Sequence, residues 1–546
     1  MFGPRVKLDW IRRTETNRNT RKLIVFFHGW CGVRFTWKPF LKRLRDDPNL
    51  AEFDIVACAY KTWVFSNLST TQVVGTSISL LESQNVSEYQ SVTVVGFSIG
   101  GLLARLLWLT AHGENKLMNG RHKADWADRI DHIVLLASPN RGSTVPERYW
   151  WGQFGVAIGE LTASGRQIRE CIQGGRVVTN LRIDWIRATD DPARPLPFVT
   201  QVLAPDDTWV QQSESEDVTL RRNGRQVMIG SGGHLGVLKF KGSHAQTYQA
   251  VKSAILGSNH ASAFDENVRS DSRQLVILRH GIRTSGQWVD RAHQLITDQL
   301  MPATGLADAT ERTVEVDSSR YGWFTARHFI QPWTRSQQLC DFCDQYTEHL
   351  ARNPRATFYF VGHSFGTWLL GAALHNCPSM RFEAVAVVGS VLKAKYPWYR
   401  LRSEGQIAAL RSDCASNDVP VGVLCCVLEH TPFIAKRLFP LLGTGGSEGF
   451  HDNNDWVRSN RFMKGGHSVG VDSEENLRSI AQWIARCIRE RKPVVPETTP
   501  LQTVKARGPL FERLPMLGGF VVPVLALLWA MAVAVASNMG GPYWGT

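Results

Sequence analysis

The strongest constraint on this chain is that its order of motifs occurs twice. Lys22–Phe27 (KLIVFF) is a short apolar run ending in His28-Gly29-Trp30, and Gln274–Leu278 (QLVIL) is another, followed after Arg279 by His280-Gly281-Ile282. A tryptophan follows each, Trp37 and Trp288. Ser91–Val95 then leads into Gly96-Phe97-Ser98-Ile99-Gly100, and Thr357–Val361 leads into Gly362-His363-Ser364-Phe365-Gly366. A further apolar strand comes next, Ile130–Leu136 and Phe382–Val388, and each copy closes on Gly-Gly-His, at His234 and His467. Such self-similarity is the mark of a tandem duplication. The polar stretch Gly257–Ser272 divides the copies into domains 1–258 and 270–491. A chain of 546 residues is long enough for two large cores.

Within each copy, short apolar strands alternate with helical patterns such as Leu102–Leu109 and Trp368–Leu374. That alternation predicts an α/β domain with a mostly parallel sheet flanked by helices. Active sites in such sheets lie beyond the carboxyl ends of the strands, which is where the repeated motifs fall. Composition agrees: 43% hydrophobic and 20% charged residues exclude a disordered or collagen-like chain. The net charge of +13 is spread along the sequence without a long Lys/Arg block, so no nucleic-acid partner is expected.

Ten cysteines in so long a chain do not make a disulfide framework. Cys340 and Cys343 form a lone C-x-x-C in a helix-like stretch (Gln337–Leu350), with no second pair or flanking histidine at zinc-site spacing. Reduced thiols in a cytosolic compartment, with no metal and no cofactor, are the expectation.

The carboxy-terminal tail is different in character. From Leu514 to Thr546 there is no charged residue, and Phe520–Ala536 is almost purely Val, Leu, Ala, Met and Trp. About 20 residues at ~1.5 Å rise cross a hydrocarbon core, so 515–537 is read as a single transmembrane helix after a Pro/Thr-bearing linker, 492–513. Lys505, Arg507 and Arg513 lie on its amino side and nothing basic follows. The positive-inside tendency therefore puts the globular domains on the cytoplasmic face.

G-x-S-x-G between a strand and a helix is a nucleophile elbow, whose glycines let the chain turn sharply enough to expose the serine hydroxyl. Ser98 and Ser364 are the candidate nucleophiles. A serine hydroxyl is inert at neutral pH unless an imidazole takes its proton, which points to His234 and His467, with His244 as a competitor to His234. His132, inside an apolar strand, reads as a packed core histidine. A tetrahedral oxyanion needs two donors: the amides after the nucleophiles, at Ile99 and Phe365, and the His-Gly loops, at Trp30 and Ile282. The acid belongs between serine and histidine, at a strand end. In the first copy Thr200–Leu203 runs into Asp206-Asp207, with Asp207 preferred and Asp206 the alternative. In the second, Val421–Leu428 runs into Glu429-His430-Thr431-Pro432, so either Glu429 serves or that triad is incomplete.

With these motifs in place, both halves resemble lipases and esterases of the α/β-hydrolase superfamily. GFSIGGLLARLL is similar to the elbow and helix of bacterial lipases, Ala137–Ser143 (ASPNRGS) to the turn after their next strand, and His234–Phe240 (HLGVLKF) to the histidine loop of lipase-like serine esterases. The second half matches more loosely through RHGIRTSGQW, GHSFG and GGHS. The resemblance implies a triad of Ser98, Asp207 and His234, with Trp30 and Ile99 lining the oxyanion hole. It leaves the substrate open among acylglycerols, phospholipids, small esters and thioesters. The expectation is a membrane-anchored hydrolase of lipid or other ester small molecules, with Tyr149-Trp150-Trp151 and Phe154 in the insertion Glu147–Phe198 as candidate caps of an acyl pocket. The alternatives are a membrane-tethered scaffold with one or both sites decayed, or a thioesterase, peptidase or acyltransferase on the same triad.

Overall fold

The computed structural model describes residues 6–496, apart from 16–17, 30–33, 63–65, 119, 121, 145–165, 192–193, 205, 221–222, 230–232, 242–244, 258–272, 282–286, 301–313, 319–331, 419, 427–439 and 452–459. The chain divides into two compact units. The first comprises Met1–Ser270 with Cys340–Pro354 and Cys377–Ser379, and the second the remainder.

The first unit is built on a seven-stranded sheet of β1 (Val6–Arg12), β2 (Lys22–Phe27), β3 (Phe53–Tyr60), β4 (Ser91–Phe97), β5 (Ile130–Leu136), β6 (Phe198–Leu203) and β7 (Gly224–Met228). Its spatial order is β1-β3-β2-β4-β5-β6-β7, and β1, on an edge, is antiparallel to β3. The other neighbours pair in parallel. A strand covered on both faces reads as an unbroken apolar run, and β2 does so because every residue from Leu23 to Phe27 is fully buried. Alternate side chains leave a strand on opposite faces. Leu23, Val25 and Phe27 accordingly join Leu102, Leu106 and Leu109 of the helix Ile99–Ala111, whereas Ile24 and Phe26 join Phe40, Leu41 and Val251 on the other side. Burying each such side chain contributes roughly 1.5–3 kcal/mol.

The second unit carries a fully parallel six-stranded sheet, ordered β13-β12-β11-β10-β8-β9. Its strands are β8 (Gln274–Arg279), β9 (Val314–Asp317), β10 (Thr357–His363), β11 (Phe382–Val388), β12 (Ile407–Ala415) and β13 (Asn460–Met463). Val276, Leu278, Tyr359 and Val361 pack on one face against Leu477, Ile480 and Ile484 of the amphipathic helix Glu474–Glu490.

Both sheets reverse direction at the same place. The chain leaves β2 for β3 on one side and returns to β4 on the other; it leaves β8 for β9 and returns to β10. The crevice at such a switch point, above the carboxyl ends of the strands, is where a parallel sheet binds ligands. The His-Gly motifs end β2 and β8, and the serines end β4 and β10, so each pair meets at its own switch.

One strand differs from expectation. Val421–Leu428 is not the strand before the second acid: Pro420–Cys425 forms a π-helical turn, residues 427 and 428 lie outside the described residues, and the strand is β12, Ile407–Ala415. β12 is hard to recognise because Arg411 and Asp413 sit in its middle. They are nonetheless buried, paired at 3.1 Å through both carboxylate oxygens. The charges cancel one another in the core, where sequence pattern alone reads them as surface.

Among the described residues no helix is long and apolar enough to cross a membrane. The expected helix 515–537 and most of the linker lie outside the described residues, as do Tyr149, Trp150, Trp151 and Phe154.

Candidate active sites

Each serine sits in a backbone conformation that side chains rarely adopt. Ser98 has φ +54° and Ser364 φ +53°, the sharp strand-to-helix turn of an elbow. Left-handed backbone at a residue with a Cβ costs on the order of 1–3 kcal/mol and persists only where surrounding contacts impose it. Here the Ser98 N–H donates to the Leu136 carbonyl at the end of β5 (2.9 Å), and the Ser364 N–H to the Val388 carbonyl at the end of β11 (3.1 Å). Glycine is required around the turn. A Cβ on Gly100 would lie 2.2 Å from the Phe27 carbonyl oxygen, and one on Gly366 would lie 2.4 Å from that of Arg279. The His-Gly loops pass close to the two serines, since a Cβ on Gly29 would meet the Ser98 Cβ at 2.8 Å and one on Gly281 the Ser364 Cβ at 2.6 Å.

In the first unit the Ser98 Oγ lies 2.9 Å from His234 Nε2, and His234 Nδ1 lies 2.6 Å from Asp207 Oδ2. With Nδ1–H donating to the carboxylate, Nε2 is left free to accept the serine proton. The other carboxylate oxygen accepts the N–H groups of Trp209 (2.8 Å) and Val210 (2.9 Å), which fixes the acid. The imidazole therefore bonds Asp207, which is buried, and not its exposed neighbour Asp206. His234 takes the base position, while His244 is outside the described residues. His132 is a core residue, its Nε2 3.0 Å from Thr200 Oγ1.

The second unit repeats the arrangement with a different acid. His467 Nε2 lies 2.8 Å from Ser364 Oγ, and its Nδ1 lies 2.7 Å from Asp418 Oδ2. Asp418 is buried, and its Oδ1 accepts the Val421 N–H at 3.0 Å. The expectation of Glu429 or an incomplete triad is thus corrected: the acid position is taken by Asp418, a few residues beyond β12, while Glu429 lies outside the described residues. Placing the strand one segment too late hid Asp418. The small polar turn Ser416-Asn417-Asp418 is a weak hint in the sequence, because the charged Arg411 and Asp413 keep the segment before it from reading as a strand.

Ile99 and Phe365 each begin a helix, where first-turn amides have no intrahelical acceptor. Trp30 and Ile282, their expected partners, lie outside the described residues. The adjacent His28 is a neutral spacer. Burial pushes its pKa down to about 4, and its ring stacks on Tyr60 and Trp37 with centroids 4.1 and 5.7 Å away. Its Nδ1–H donates to the Gly29 carbonyl at 2.9 Å, which holds the loop over Ser98.

Cys340 and Cys343 lie on the helix Pro332–Arg352, and the Cys343 thiol hydrogen-bonds Cys377, with its pKa raised by that bond and by burial. Among the described residues no cluster of His, Cys, Asp or Glu is placed to hold a metal ion.

No protein-family model matches the sequence, and no curated protein matches it. Among solved structures the chain is similar to a lipase-esterase related protein from Clostridium acetobutylicum, at 11% identity over 46% of this chain and 100% of that one, with a TM-score of 0.29. It is similar to esterase 2 of Thermogutta terrifontis at 14% identity over 47% of this chain and 92% of that one, with a TM-score of 0.33. A phospholipase of Legionella pneumophila, PlaB, aligns at 15% identity over 33% of this chain and 37% of that one, with a TM-score of 0.24.

Proposed function

We propose that this chain is a membrane-anchored serine hydrolase of two tandem α/β-hydrolase domains, cleaving carboxylic esters, chiefly lipid acyl esters, through an acyl-enzyme on Ser98. The observation that carries the reading is the unbroken chain from Asp207 through His234 to Ser98, at 2.6 and 2.9 Å. In this reading the Ser98 Oγ attacks the ester carbonyl as His234 Nε2 takes its proton. Asp207 holds the tautomer and stabilises the imidazolium that forms. The oxyanion gathers on the Ile99 amide and the His-Gly loop. The tetrahedral intermediate collapses as His234 returns the proton to the departing alcohol. Water then repeats the sequence on the acyl-enzyme and frees the acid.

The preference for lipid esters is supported by the loops that carry the acid and base. Trp209 follows Asp207 by two residues, Leu235 directly follows His234, and Met228 ends β7 beside β6. All three are large, apolar and about half exposed. Exposed apolar side chains around a reactive centre suit a substrate that brings its own hydrocarbon. The uncharged tail supports attachment to a bilayer, with the two domains on its cytoplasmic side.

The deciding experiment treats the full chain with a fluorophosphonate probe, which reacts only with an activated serine. Labelling at Ser98, abolished by His234→Ala, is expected; a chain whose Ser98 stays unlabelled while folded is a scaffold at that site. Deleting Pro515–Thr546 should release a soluble protein that keeps its esterase activity, and pelleting with membranes after a high-salt wash would refute the tail as the anchor.

A further inference from the structure

We infer that Ser364, His467 and Asp418 form a second working centre that hydrolyses carboxylic acyl esters on its own, so that one chain carries two independent active sites. This goes beyond the reading given for Ser98 and stands whether or not Ser98 is active.

Four observations converge on it. The hydrogen bonds from Asp418 to His467 and from His467 to Ser364, 2.7 and 2.8 Å, match those of the first unit in length and in the ring nitrogens used. Ser364 keeps the strained φ of +53°, which a serine serving only to fill space has no need to adopt. The loop above it keeps a glycine where a side chain would strike Ser364: a Cβ on Gly281 would come 3.2 Å from Ser364 Oγ as well as 2.6 Å from its Cβ. The helix that starts at Phe365 then aims its first amides at the same space.

The surroundings also prepare His467 as the base. His363 lies against it with ring centroids 4.9 Å apart, and its Nε2–H donates to the His467 carbonyl at 3.3 Å. Burial, with help from the charge of His467, lowers the His363 pKa to about 3. The ring therefore stays neutral, neither taking the serine proton nor repelling the imidazolium that forms beside it. It braces the loop of His467 where the first unit has only the Phe97 ring, 5.1 Å from His234.

The chemistry closes without any further reactant than water. Ser364 Oγ forms a bond to the acyl carbon, its proton moves to His467 Nε2, the carbon–oxygen bond to the alcohol breaks, and His467 gives that proton to the alcohol. Water then adds to the acyl carbon, its proton passes to His467, and the Ser364 oxygen leaves as the carboxylic acid is released and takes the proton back.

The test uses the full-length chain in four forms: unaltered, Ser98→Ala, Ser364→Ala and the double variant, each checked for fold by circular dichroism. Ser98→Ala should still be labelled by a fluorophosphonate at Ser364, mapped by peptide mass, and should still hydrolyse p-nitrophenyl acetate; the double variant should do neither. In the Ser98→Ala background, Asp418→Asn should slow labelling by about 10³–10⁴-fold, and Asp418→Glu should restore part of the rate. A folded Ser98→Ala chain that is neither labelled nor active overturns the inference, while labelling of Ser364→Ala at Ser98 in the same experiment leaves the reading of the first site standing. Full labelling in Asp418→Asn, or its loss in Glu429→Gln alone, overturns Asp418 as the acid.

Discussion

The two sites arrive at one geometry by different local means. Both hang a serine on an elbow with φ near +54° and both hold a histidine 2.8–2.9 Å from it. The acids differ in how they are anchored. Among the described residues Asp207 accepts two backbone N–H groups, from Trp209 and Val210, whereas Asp418 accepts one, from Val421. The residue before each serine differs as well, an apolar Phe97 against a polar His363. What is constant is the set of positions above the switch point of the sheet, and what varies is the chemistry that braces them. The comparison teaches that a hydrogen-bonded Ser-His-Asp set is specified by the ends of strands and not by spacing in the chain.

The largest effects come from removing either member of the reacting pair. Ser98→Ala and His234→Ala should each lower turnover at the first site by about 10⁴-fold or more, and the double variant should be little worse, because triad members act as a unit. Additive losses, measured on one ester with the second serine also replaced, would show that the two residues do not share a step. Next comes the acid. Asp207→Asn should cost up to roughly 10⁴-fold in kcat by favouring the wrong tautomer. Asp206→Asn, at the exposed neighbour, should stay within a few-fold, and a reversal of that order would move the acid by one residue.

A third comparison concerns the buried charges beneath the sites. In the first unit Asp217 is fully buried between Arg182, 3.3 Å away, and Arg105, 3.7 Å away on the elbow helix. Burial alone would raise its pKa, but the two guanidinium groups more than offset that and hold it below the usual carboxylate range. In the second unit Asp413 plays the corresponding part, bonded by Arg411 and by Asn476 at 2.7 Å. Removing one partner of a buried ion pair leaves a charge uncompensated, here Arg105 rather than Arg182, which keeps Asp344 and Glu348 at 3.3 and 2.8 Å, and in the second unit Arg411. Asp217→Asn and Asp413→Asn should therefore each destabilise their unit by about 3–5 kcal/mol, read from the urea midpoint. A loss under 1 kcal/mol in either would mean that water reaches the arginines.

These buried pairs also mark where the sequence was hard to read. The parallel α/β architecture, and the placing of Ser98, Ser364, His234, His467 and Asp207 beyond the strand ends, follow from apolar runs and glycine turns, which are local signals. Asp418 does not, because recognising β12 requires knowing that Arg411 and Asp413 neutralise one another in the core, and that is a tertiary fact. The antiparallel edge strand β1 (VKLDWIR) escaped for a related reason: it is only partly buried, so its apolar residues form no continuous run.

The smallest effect sharpens the comparison of Phe97 with His363. A histidine buried as the neutral ring stays unprotonated in the folded chain while its unfolded counterpart, with an ordinary pKa near 6.5, binds a proton. The unfolded state then gains protons first as pH falls, so stability is full above about pH 6.5 and declines as pH drops from there toward the folded value. His28 imposes that loss on the first unit down to about pH 4, and His363 imposes one on the second down to about pH 3. His112, whose pKa burial also lowers, adds a further loss of the same sign to the first unit, whereas Phe97, in the place of His363, adds none. His363→Phe should accordingly flatten the fall in stability of the second unit between pH 7 and pH 5, by roughly 1–2 kcal/mol over that interval. It should leave Ser98 labelling untouched and slow Ser364 labelling only modestly, since the hydrogen bond to the His467 carbonyl is lost while the triad remains. Urea midpoints of the two proteins at both pH values provide the measurement. An unchanged slope would mean that His363 takes up its proton in the folded chain as readily as in the unfolded one, and the neutral brace assigned to it at the second site would be wrong.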